Sequence, residues 1–157
     1  MLTKKLQHLS LSTGLLLVAL AFVTLTFAPL AKAEETMLGG EYTLHYIAVN
    51  SSFISPEIAA SYGIVRSPRN AFLNISVIKN TGAAGTPVTA RVTGEKGNLL
   101  GQNSTIEFIE IREGDAVYYL GQFEFSNAEN LRFNLEIQPE NSGPVYPVSY
   151  TTQMYIN

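Results

Sequence analysis

The chain has 157 residues, 46% of them hydrophobic, with 10 basic and 13 acidic side chains and a formal net charge of −3. It contains no cysteine. That excludes a structural disulfide, a thiolate nucleophile, a thiolate metal site and the acylated cysteine of a bacterial lipoprotein.

The N-terminal stretch "MLTKKLQHLSLSTGLLLVALAFVTLTFAPLAKAEE" reads as a secretory leader. Lys4 and Lys5 form its positive start, and apart from His8 no ionisable residue follows from Gln7 to Ala31. Ala31 and Ala33 place small side chains around a cleavage point, and Pro29 breaks the apolar helix just upstream. The competing reading is an uncleaved anchor in the inner membrane, because ~20 apolar residues can span a bilayer. Ser10, Ser12, Thr13, Gly14, Thr24 and Thr26 dilute that apolarity. Cleavage after Ala33 predicts a signal peptide of residues 1–33 and a single periplasmic domain of residues 34–157 with no stable membrane anchor. Its seven basic and thirteen acidic residues then give a net charge of −6. Such a surface lacks the basic patch that nucleic acid or an anionic membrane requires. With neither disulfide nor metal expected, the apolar core alone must hold the domain.

From residue 41 onward the polypeptide alternates with period two. In "EYTLHYIAVN", Tyr42, Leu44, Tyr46 and Ala48 share a face. The next stretch, "SPEIAASYGIVRSPRNAF", breaks that rhythm with a helical pattern. Ser55 is a suitable N-cap, Pro56 suits the first helical position, Glu57 favours the positive end, and Gly63 stops the helix. A two-turn helix over residues 56–62 is therefore predicted to cross between strands, with Ile58 and Tyr62 on its inward face. Arg66-Ser67-Pro68-Arg69 then leads in extended or turning form to "NAFLNISVIK", where Ala71, Leu73, Ile75 and Val77 alternate.

"PVTARVTG" sets Val88, Ala90 and Val92 on one side between the turn-rich "NTGAAGT" and "GEKGN". The segment "TIEFIEIREGDAVYYLGQFEF" reads as a hairpin turning at "REGD". The apolar phase slips between Phe108 and Ile109, which predicts a β-bulge. Gly121 interrupts the face shared by Val117, Tyr119, Phe123 and Phe125, marking either a kink or a close approach. "LRFNLEIQ" alternates cleanly, and "YPVSYTTQMYI" aligns Tyr146, Val148, Tyr150, Met154 and Ile156. About seven strands plus one short crossing helix predict an all-β fold. Its expected form is an antiparallel, immunoglobulin-like β-sandwich, with a small barrel as the alternative.

Few residues could carry chemistry. His45 is the one histidine beyond the leader, and alternation puts it on the outer face. A copper site would have to combine it with the thioethers of Met37 and Met154, and Met154 falls on an apolar face. A carboxylate-based hydrolase would draw on Glu107 and Glu110 beside the phase slip, with Glu113 and Asp115 in the turn and His45 as a base. None of these acids is set among apolar residues in the way that raises a general acid's pKa. Arg66 and Arg69 either clamp a carboxylate or phosphate, or pair with Glu57 and neighbouring acids to fix the loop.

The blocks "YTLHYIAVNSSFISPEIAASYGIVRS", "LNISVIKN", "NLLGQ", "FIEIREGDAVYYLGQF" and "LRFNLEIQP" occur in an order that resembles the small exported gammaproteobacterial proteins grouped under domain of unknown function 4426. The resemblance covers nearly all of the chain beyond the leader. It implies a single periplasmic domain and no assigned activity. The helix-and-arginine stretch belongs to that pattern.

The leading expectation is a non-enzymatic periplasmic module that binds an envelope protein or a small ligand through Phe53, Tyr62, Arg66 and Arg69. No catalytic residue, metal ligand or cofactor is expected. The alternatives are the hydrolase, and a metal or small-ligand carrier.

Overall fold

The computed structural model describes residues 33–156, so the predicted leader lies outside the described residues except for Ala33. Ten strands form two antiparallel sheets. The first sheet runs β1 (Glu34–Leu38), β2 (Tyr42–Asn50), β3 (Asn70–Lys79), β8 (Ala116–Glu124) and β7 (Phe108–Glu113). The short β4 (Thr86–Val88) pairs with the far end of β3. The second sheet runs β10 (Tyr146–Met154), β9 (Glu129–Pro139), β5 (Ala90–Asn98) and β6 (Asn103–Thr105). The fold is thus an all-β antiparallel sandwich with one short helix, α1 (Pro56–Ser61).

Period-two alternation creates the core. Leu44, Leu73, Ile75 and Val77 from the first sheet meet Leu131, Phe133, Leu135 and Ile137 from the second, all at 2% exposure or less. Phe133 sits at the centre, edge-on to Phe123 at 5.0 Å and stacked on Tyr150 at 5.6 Å. Burial of these rings drives the sheets together at about 25 cal/mol per Å² of apolar surface.

The three strands beyond the expected seven are short. The "PVTARVTG" segment is split: β4 lies in the first sheet and β5 in the second, so the chain changes sheet at Thr89. It changes again at Ile106 and Glu107, between β6 and β7. "GEKGN" is strand rather than turn. Gly94 and Gly97 there accommodate close neighbours, Leu135 Cδ2 lying 2.6 Å from where a Cβ on Gly94 would be.

The predicted bulge is absent. The β7–β8 register runs unbroken from Phe108↔Gly121 to Glu113↔Ala116. The phase slip has another cause: along β7 the apolar side chains pass from the inner face to the outer one, and Glu110 and Arg112 take the inner positions opposite Tyr119 and Val117. Phe108 points into the core, whereas Ile111 lies on the outer face and packs against the small cluster next to α1. Of the two readings of Gly121, close approach holds, since a Cβ there would crowd the Ile106 side chain and stand 2.7 Å from Phe108 Cε1.

Candidate binding groove beside the crossing helix

The local sequence builds α1 as expected. The Ile58 amide donates to Ser55 Oγ at 3.3 Å, and Pro56 occupies the first turn. At the other end Gly63 adopts φ +63° and its amide donates to the Ala60 carbonyl, while the Ile64 amide donates to the Ala59 carbonyl at 2.8 Å. These two bonds form a Schellman motif, which only a residue tolerating left-handed backbone closes without strain. The motif drops Ile64 back onto Ala59, and both are buried against Phe72 and Leu120 on the outer face of the first sheet. The inward face of α1 is therefore Ala59. Ile58, expected there, is half exposed at 50%.

The displaced Ile58 instead lines a groove of about 270 Å³ between α1 and the sheet. Tyr62, Phe72, Ile111, Tyr118 and Leu120 complete most of its lining. Asn74, on the same outer face of β3, adds a side-chain oxygen that is buried and has no hydrogen-bond partner. A buried amide oxygen without a partner costs on the order of 1–3 kcal/mol, so a donor brought to it gains that much. Phe53, one residue before the groove-lining Ile54, is 69% exposed.

The loop after α1 is stapled down rather than free. Gln122 on β8 accepts from the Val65 amide at 2.8 Å and donates to the Gly63 carbonyl at 2.9 Å. Ser51 Oγ is fully buried and accepts from the Ser67 amide at 3.0 Å. Arg66 donates to the Ser52 carbonyl at 3.2 Å. Its charge also helps hold the Glu57 carboxyl below the usual range, after that residue's own amide and Ser55. Arg69 is placed elsewhere, in a polar cleft of about 350 Å³ with Lys96, Asn98, Ser126 and Glu129. The residues expected to form one surface thus divide: Tyr62 belongs to the apolar groove, Arg69 to the polar cleft, and Arg66 to the loop.

The carboxylates expected for hydrolysis are arranged differently from a catalytic pair. Glu110 accepts from the buried Tyr119 hydroxyl at 2.8 Å and from Arg112 at 2.7 Å. Those two donors, Tyr119 first, hold its carboxyl below the usual range, the opposite of what a general acid needs. Glu107 and Asp115 are exposed, and Glu113 borders the apolar groove. His45 sits half exposed on the outer face with Nδ1 3.8 Å from Glu35 Oε2. Met37 lies two residues along the same face of β1 and is 59% exposed. Met154 is buried in the core, so it is not free to join them. Among the described residues no three histidine, aspartate or glutamate side chains converge as metal donors.

A family model described as a domain of unknown function (DUF4426) matches residues 37–157. The chain belongs to this family. The crystal structure of a family member from Pseudomonas aeruginosa PAO1 is 30% identical in sequence, with a TM-score of 0.69 over 80% of this chain and 96% of that one. FetP of uropathogenic Escherichia coli strain F11, isolated after expression in the periplasm, shares the fold at 14% identity and a TM-score of 0.58, over 78% of this chain and 93% of FetP. A copper-bound variant of the same FetP, in which one glutamate is replaced by glutamine, aligns at 12% identity and a TM-score of 0.57, over 80% and 91% of the two chains. No curated protein matches the sequence. Among the described residues no helix is long and apolar enough to cross a membrane.

Proposed function

We propose that this protein is a non-enzymatic binding module of the periplasm that takes an apolar side chain of an envelope protein into the groove between α1 and the first sheet. The observation that carries this reading is the groove's lining, apolar except at its margin and at the unpartnered oxygen of Asn74. At about 270 Å³ the groove falls below the roughly 300–1,000 Å³ usual for small-molecule sites, so one or two side chains fill it better than a whole ligand. A partner backbone N–H beside the inserted side chain would satisfy Asn74. Export rests on the leader signature and agrees with the periplasmic setting of FetP.

Photo-crosslinking in intact envelopes tests this. A photoreactive residue in place of Ile58 is expected to give a discrete protein adduct, and the same residue in place of Glu136, exposed on the second sheet, is expected to give none. Adding Tyr62→Asp to the Ile58 probe should abolish the adduct while circular dichroism stays unchanged. Equal adducts from both positions, or an adduct indifferent to Tyr62→Asp, rules the groove out.

A metal carrier is the second reading. It is favoured by the fold shared with copper-bound FetP and by the placement of His45, Glu35 and Met37 on one face of the β1–β2 ladder. Imidazole and thioether suit copper better than magnesium or calcium. Titration with copper(I) against a chromophoric chelator checks it: uptake lost in His45→Ala supports the reading, and no uptake by the native protein removes it.

A further inference from the structure

Five strands lie at sheet edges, and four of them carry the devices that keep edges from pairing. At one margin β1 has Glu34 and Glu35. At the other, β7 has Glu110, Arg112 and Glu113. Three residues make up β4, including Pro87, and three make up β6. The fifth, β10, differs. It runs nine residues, "YPVSYTTQM", without a single charge, and Pro147 near its start is the sole guard. Among the described residues no strand pairs with its outer edge. Just beyond its two ends stand Val145 and Tyr155, 51% and 53% exposed.

We propose that β10 pairs with β10 of a second copy, antiparallel about a two-fold axis at Tyr150. The two four-stranded sheets then join into one continuous sheet across the dimer. The register follows from the chain itself. In a symmetric antiparallel pair, facing residue numbers have a constant even sum, because facing residues must direct their backbone groups the same way. An axis at Tyr150 sets Val145 against Tyr155 of the partner copy, so the exposed apolar residue at each end covers its counterpart. The same axis sets Tyr146 against the other Met154, and Val148 against the other Thr152, keeping core-facing residues in line. On the solvent face Ser149 meets Thr151, a favourable cross-strand pair. The acidic surface would oppose other contacts between copies, but this strand brings no like charges together.

Two measurements decide the matter on the purified protein. Sedimentation velocity should give twice the monomer mass. The double substitution Ser149→Lys, Thr151→Lys, on exposed positions, should halve it with the dichroism spectrum unchanged. Because the chain has no cysteine, Val145→Cys and Tyr155→Cys can be made singly and mixed. Mild oxidation should then link one variant to the other, with little linkage in either alone. A native protein that sediments as a monomer at every concentration, or one that captures an added strand peptide without self-pairing, overturns the proposal. So does a dimer that survives the lysine pair.

Discussion

The Tyr42 hydroxyl donates a 2.6 Å hydrogen bond to a carboxylate oxygen of Glu140, joining β2 in one sheet to the end of β9 in the other. Lys79 closes the arrangement with its ammonium 3.1 Å from Glu140 and 3.3 Å from Glu41. The same ammonium stands 5.5 Å from the centre of the Tyr42 ring. One end of the sandwich is therefore clasped by a phenol and an ion pair in addition to the apolar packing of Leu38, Tyr42, Val77 and Ala90.

That clasp has a defined pH window. Tyr42 first and Lys79 second hold the Glu140 carboxyl below its ordinary 4.5. Glu140 first and Glu41 second raise the Lys79 ammonium above its ordinary 10.5. A lowered carboxyl contributes stability above its unfolded pKa and loses it as pH falls through the folded value. A raised ammonium contributes below its unfolded pKa and loses it as pH rises through the folded value. The melting temperature of Glu140→Gln should thus fall below that of the native protein at neutral pH. The gap should narrow below pH 4.5 and again above pH 10.5. A gap that stays constant from acid to alkali would contradict the assignment.

Tyr119 supplies a second link between the sheets. Its hydroxyl accepts from the Ala90 amide at 2.7 Å and donates to Glu110. Burial is the main reason its phenol is pushed up to about 12; the Ala90 amide opposes the rise and Glu110 adds to it. A raised phenol contributes stability below its ordinary 10.0 and loses it as pH climbs through about 12. Tyr119→Phe leaves the Ala90 amide without its acceptor, which should cost about 1–3 kcal/mol in urea unfolding at neutral pH. In alkaline absorbance titration of the native protein, the phenols of Tyr42, Tyr46 and Tyr119 should ionise later than an ordinary phenol, and the step near 12 should vanish in the variant.

Gly121 is required by contact rather than by backbone angle. Gly121→Ala drives a methyl into Ile106 and the Phe108 ring and should destabilise by about 1–3 kcal/mol. Combined with Ile106→Ala, the double variant should lose less than the sum of the two single losses, because the crowding atom is gone. Strict additivity in equilibrium unfolding would show that the two residues do not touch.

Ser55 governs the groove through α1. Removing its cap by Ser55→Ala should cost about 1 kcal/mol, felt locally in a helix of six residues. Hydrogen exchange at Ile58 and Ala59 should quicken while the amides of β9 keep their protection. The crosslink from the Ile58 probe should weaken in parallel.

The core strands are legible in the sequence because a half-buried strand must alternate. Leu131 to Ile137 display that rule without interruption, and Ala71 to Val77 depart from it only at Phe72. The capped ends of α1 are equally plain, since Ser55, Pro56 and Gly63 act through their own backbone geometry. The groove is not. Its walls are Phe72, Ile111 and Leu120, whose outward apolarity breaks the period and carries no local sign of what covers it. In the sequence Ile111 therefore imitates the mark of a bulge. Arg66 and Arg69 likewise look like neighbours, although their side chains leave the loop in different directions.

By itself, then, the sequence determined a cysteine-free polypeptide with an export signature and a sandwich-forming alternation, because those properties depend on composition and on neighbours a few residues apart. Only the tertiary structure decided where the chain changes sheet, which carboxylates are held ionised, which apolar residues line a groove, and which sheet edge is left unguarded. Each of these depends on pairs far apart in the chain, such as Tyr42 with Glu140 and Phe72 with Leu120, that meet only once the strands have paired.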